Sequence, residues 1–190
     1  MGKLVQLKNV RLSFPSIFEA TDYQGDSNFK YRAQFIFDRG SANEKLLRSA
    51  IDEVTQELWG DKAKSILKKV ENTNFFCLRE GDSSRPDDPA YAGKMFVSAT
   101  NDKRPKVVDR DNSVLAKDDE KPYAGCYVNA FIEIYAYGSS PKSKAKSTGV
   151  SAALKAVQFF RDGEAFTGGV SNSELEFEEV GDEDFADLVA

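Results

Sequence analysis

A mainly β fold, with five or so main strands, a two-helix insertion and an acidic tail, is what this 190-residue chain predicts. Three observations carry that reading. Residues 127–137 alternate strictly between aliphatic and aromatic or polar side chains, the period of a long strand. Residues 41–70 change to helical spacing. From Ser171 onward the chain becomes acidic and poor in core material, which predicts a disordered tail.

In chain order, residues 4–14 read as a first strand, with Val10, Leu12 and Phe14 on one face and Asn9, Arg11 and Ser13 on the other. Pro15 is expected to interrupt it, because proline cannot donate to a ladder. A polar connection over 16–28 follows, with Gly25 as a turn residue. Residues 30–38 form a second strand, Tyr31, Ala33, Phe35 and Phe37 opposing Arg32, Gln34 and Ile36, and pair with the first. Ser41 and Glu44 form a capping-box signature. The stripe Leu47, Ile51, Val54 and Leu58 then predicts a helix that Gly60 stops. Asp61 is the expected cap of a shorter helix bearing Ile66, Leu67 and Val70, and Trp59 is expected to pack.

Residues 74–79 read as a short strand, and 80–93 as a turn-rich loop long enough to be functional or mobile. Residues 94–100 form another strand, with Met95, Val97 and Ala99 opposing Lys94, Phe96 and Ser98. A brief strand is expected at Val107 and Val108. Residues 149–166 carry both helical and strand spacing, read as a helical turn running into a last strand. The domain therefore spans 1–172, with its helical insertion at about 41–70, and the tail is 173–190.

The formal net charge of −5 hides an asymmetry: residues 1–172 carry 26 basic and 23 acidic groups, a net of +3, and the tail holds the other 8 acids. A mildly basic body is compatible with a polyanionic ligand. No segment has membrane-spanning length, so a cytoplasmic protein is expected. Cys77 and Cys126 sit in apolar stretches and read as buried free thiols.

With no histidine, serine and cysteine triads and imidazole bases are excluded. Two isolated cysteines make no structural zinc site, and no phosphate-binding glycine loop occurs. Asp87–Asp88 and Asp118–Asp119 lie among turn residues and read as solvated loops rather than magnesium ligands. No catalytic residue, cofactor or metal is therefore assigned, and the chain reads as a non-enzyme.

Three features point to binding. The odd positions of residues 127–137, namely Tyr127, Phe131, Tyr135 and Tyr137, together with Phe96 beside Lys94, mix flat rings with polar groups. Such rings either stack unpaired bases or turn into the core of a curved strand; at least two are expected at the surface. Cations gather near strand ends: Arg79, Arg85, Lys94, Lys103, Arg104, Lys106, and the acid-free triplet Lys142, Lys144 and Lys146. Finally, Asp182, Glu183, Asp184, Phe185, Asp187 and Leu188 combine carboxylates with apolar anchors, as a short partner-binding motif does; the tail would recruit a protein or fold back over the basic groove. A scaffold acting through its tail alone is the competing reading.

YVNAFIEIYAYG (127–138), GVSAALKAVQFFRDGEAFTGG (149–169), LKNVRLSFPSIFEA (7–20) and YRAQFIFD (31–38), with the acidic terminus, resemble the phage single-stranded DNA-binding proteins once filed as a domain of unknown function, notably that of an Enterobacter phage. The resemblance covers residues 4–170. It implies an OB fold, a five-stranded barrel with a curved binding face. It further implies sequence-tolerant coating of single-stranded DNA during replication and recombination, with replication or recombination proteins as partners of the tail, in the cytoplasm of the phage's host. The helical insertion after the second strand departs from the minimal barrel.

Overall fold

The computed structural model describes residues 2–22 and 25–166. Strand β1 (Lys3–Thr21) runs far beyond the expected stop at Pro15. It survives because its ladder is irregular: besides a late register shift between Ser16 and Thr21, pairing shifts between Leu7 and Val10, and again between Ser13 and Ser16. Asn9 (φ 52°) and Phe14 (φ 46°) adopt left-handed backbone at these two bulges. Pro15 thus falls where no ladder bond is needed. The second bulge also inverts the alternation, so Ser13 is buried and Phe14, expected on the Val10 and Leu12 face, stands 54% exposed.

Strand β2 (Lys30–Asp38) pairs antiparallel with β1, Leu12 opposite Phe35. Helix α1 (Ala42–Trp59) takes Ser41 as its N-cap, accepting from the Glu44 amide, but the expected box is not closed: Glu44 accepts at 2.6 Å from the amide of Gly40, one residue before the cap. That amide, before the Arg48 guanidinium, holds the Glu44 carboxyl below its ordinary pKa. Leu47, Ile51 and Val54 bury against β1 and the later strands. Asp61 does not cap the second helix: Gly60–Lys62 forms one 3-10 turn that leads directly into α2 (Ala63–Val70). Trp59 packs as expected, and its indole Nε1–H donates to the Gly138 carbonyl at 2.8 Å.

Strand β3 (Leu78–Glu80) is followed by one turn, α3 (Gly81–Ser84), then β4 (Lys94–Asn101) and β5 (Lys106–Val108). Strand β6 (Tyr127–Tyr137) has the predicted bounds, with Val128, Ala130, Ile132 and Ile134 buried. Strand β7 (Gly149–Arg161) is extended throughout, which removes the expected helical turn. Val150, Ala152 and Leu154 face the core, and pairing with β6 from Tyr137–Gly149 to Tyr127–Arg161 overrides local helix preference.

The order β4-β2-β1-β6-β7 closes on itself through a parallel pairing of Thr100 with Ala153. This is a five-stranded barrel of the OB type, to which β3 and β5 add short edges. No helix among the described residues is long and apolar enough to cross a membrane.

Residues 81–93 do not hang free. They lie over the outer face of β2 and β4, where Tyr91 packs edge-on to Phe96 (centroids 5.0 Å apart) and seals Ile36. The Tyr91 hydroxyl lies 2.7 Å from Ser13 Oγ and donates to Gln34 Oε1 at 2.6 Å. Phe96, expected to offer a stacking face, is consequently 1% exposed.

Both cysteines are free and buried, and burial pushes Cys77 up to about 12 and Cys126 to about 11. Thiolate is the reactive form. The folded protein is therefore expected to resist a thiol-specific dye at pH 8 and to take up two equivalents on denaturation. Fast labelling of the native chain would contradict this burial.

Candidate nucleic-acid interface

An OB barrel presents its ligand face on the second and third barrel strands, between the loop joining strands 1 and 2 and the loop joining strands 4 and 5. In this chain those strands are β2 and β4, and the loops are 22–29 and 138–148. A groove of about 640 Å³ lies on that face. Its floor is polar, from Gln34, Ser98, Thr100 and Ser151. Arg32, Arg79 and Arg85 line it as cations.

Local structure fixes these side chains. Arg32 donates to the Asn28 carbonyl at 3.0 Å, tying β2 to the 22–29 loop. Arg79 Nε donates to the Phe76 carbonyl at 3.1 Å. The Arg85 guanidinium sits 4.8 Å from the centroid of Phe14, whose ring the second bulge of β1 turns out of the core. Phe29, in the 22–29 loop, and Phe75, next to the groove-lining Phe76, are also exposed, at 61% and 49%. The sequence reading missed all three rings. Only Phe14 carried a signal, a phenylalanine before a proline inside a strand.

Of the rings singled out from sequence, Tyr135 stands opposite a groove-lining residue. It is 38% exposed and pairs with Ser151 of β7. Partial burial raises its pKa. Tyr137 lies beside it, centroids 6.1 Å apart. Lys142, Lys144 and Lys146 are exposed in the 138–148 loop, without an ion pair among the described residues. Phe131 is 39% exposed but faces Gln6 and Ala156, on the outer surface of β1, β6 and β7.

Other expected residues are not gathered there. Tyr127 and Lys94 line a separate cleft. Arg104 sits 6.0 Å from the Phe18 ring, and Lys106 lies on β5 opposite Ala156. The carboxylates of Asp88 and Asp119 accept backbone amides of Ala90 and Ala116 and so brace turns. Asp182, Glu183, Asp184, Phe185, Asp187 and Leu188 lie outside the described residues.

The family model described as the single-stranded DNA-binding protein of Enterobacter phage Enc34 matches residues 3–188. A protein called putative protein p50, from Acyrthosiphon pisum secondary endosymbiont phage 1, is 43% identical over 189 residues, 98% of either chain. Among solved structures, the C-terminally truncated single-stranded DNA-binding protein of bacteriophage Enc34 aligns with a TM-score of 0.67 at 20% identity, over 86% of this chain and 88% of that one. The structure of that protein in complex with single-stranded DNA aligns equally well, over 86% and 89%.

Proposed function

The chain belongs to the family of the Enterobacter phage Enc34 single-stranded DNA-binding protein, and from that premise we propose that it is itself a sequence-tolerant single-stranded DNA-binding protein. One observation carries the reading beyond family membership: the groove on the ligand face of the barrel joins an exposed ring, Phe14, to three arginines over a polar floor. Rings offer every base the same π-face, while guanidinium groups follow the phosphates, so such a groove holds single strands without reading sequence. Tyr135 and Tyr137, with the lysines of the 138–148 loop, extend the same chemistry at one end. The protein coats and protects single strands during phage replication or recombination in the host cytoplasm, and performs no catalysis. Its tail recruits replication or recombination partners or modulates access to the groove.

The test is fluorescence anisotropy of labelled oligo-dT against duplex of equal length, at two salt concentrations, with the full chain and with residues 1–172. Single strands are expected to bind more tightly than duplex, and salt to weaken them with a slope of about −0.7 per phosphate contacted. Truncation is expected to tighten binding by removing competing carboxylates. Undetectable or salt-insensitive binding would instead favour a scaffold acting through its tail.

A further inference from the structure

Along β2 the groove takes residues 32–34, and a second cleft of about 360 Å³ takes residues 36–38. The Ile36, Tyr91 and Phe96 cluster stands between them. Four cations line this second cleft, Lys8, Arg11, Lys94 and Arg161, against one acid, Asp38, which pairs with Lys94. The other three have no ion pair among the described residues. Arg11 is held by neutral carbonyls, donating to Gly125 O at 3.1 Å and to Glu164 O at 2.9 Å. Arg161 donates to Asn9 Oδ1 at 3.2 Å.

A ring fixes the two guanidinium groups. Arg161 sits 3.6 Å from the Tyr127 centroid and Arg11 5.7 Å, with Arg11 also 4.3 Å from Phe166. A guanidinium therefore covers Tyr127 where a base would stack, so the tyrosine orients cations instead of receiving a nucleobase. The first bulge of β1 sets the geometry: Asn43 near the start of α1 accepts from the Lys8 amide and donates to its carbonyl, both at 3.0 Å. Uncompensated arginines, oriented by rings and carbonyls and keeping further N–H donors, suit an oxyanion with several acceptor oxygens.

We propose that this cleft is a second subsite, which takes the sugar–phosphate backbone of single-stranded DNA beyond the aromatic groove and stacks no base. The proposal rests on the function inferred above. It predicts that DNA length matters: a strand filling only the groove does not reach the cleft, whereas a longer one lays phosphates on Arg161, Arg11 and Lys8.

The experiment compares the full chain with the K8Q/R161Q double variant and with K8Q alone, an exposed position outside the packed core. Oligo-dT of about 6 and about 16 nucleotides, both within the range of OB-fold site sizes, is titrated over a salt series. For the longer strand, the double variant is expected to lose about tenfold in affinity at low salt. Its salt slope should fall by about 1.4 and that of K8Q by about 0.7, the increments for two and one lost phosphate contacts. The shorter strand should bind all three proteins alike. Equal losses at both lengths, or none at either, would overturn the subsite. Tighter binding by the variants would also overturn it, assigning the cleft to the chain's own acidic tail. Failure of the unmodified chain to bind either length would overturn the underlying function, and the subsite with it.

Discussion

Phe14→Ala is expected to weaken single-stranded DNA binding by about 1–3 kcal/mol, roughly 5- to 150-fold, the worth of one stacked base. The ring contributes little to the core, since 54% of the residue is exposed. Its backbone, at φ 46°, lies where an L-residue costs about 1–2 kcal/mol. Strain of that size, held by a bulge that turns an apolar ring toward solvent, fits a ring kept for contact with a ligand. Phe14→Gly sharpens the test, because glycine accepts this backbone without a Cβ penalty. It should be at least as stable as Phe14→Ala and bind just as weakly. Thermal melts with anisotropy titrations on oligo-dT would show both. Unchanged affinity in a folded Phe14→Ala protein would move the main stacking contact to Tyr135 or Phe75.

Trp59→Ala is expected to lower unfolding stability by about 3–5 kcal/mol, the cost of emptying a large aromatic site. The indole is buried at the end of α1 and donates to Gly138, where β6 turns into the lysine-bearing loop. Gly138 has φ 78°, and a Cβ there would run into the Ser147 carbonyl, so the loop's entry is sterically set from both sides. Trp59→Phe keeps much of the apolar volume and loses the hydrogen bond, so it should cost less, with about 1 kcal/mol from the bond itself. Urea unfolding measures both. A loss below about 1 kcal/mol for Trp59→Ala would mean that the helical insertion and the barrel are not one cooperative unit.

The legible parts of the fold were those decided locally. The alternation of β6, the sides of β2 and the cap of α1 need only neighbouring residues, and all match the structure. The extent of β1, the extended course of β7 and the cover formed by residues 81–93 depend on distant partners. Pro15 is tolerated only because a bulge removes the need for its amide, and residues 149–154 are extended because β6 lies alongside. The candidate site follows the same division. The lysines of 138–148 stand out by composition, whereas Phe96 alternates as a surface ring and is sealed by Tyr91 from elsewhere in the chain. Phe14 reads as core until the bulge reverses it. Arg11 and Arg161 come together only when β1 and β7 meet either side of Tyr127.

The barrel is closed by a parallel contact between Thr100 of β4 and Ala153 of β7. The groove straddles that closure, with Ser98 and Thr100 on one bank and Ser151 and Ala152 on the other. The order of synthesis therefore has a consequence. A chain still emerging from the ribosome lacks the Ser151 and Ala152 bank of the groove until β7 is made. Completion of the groove thus waits on the last barrel strand translated, so the proposed binding face is finished only near the end of synthesis.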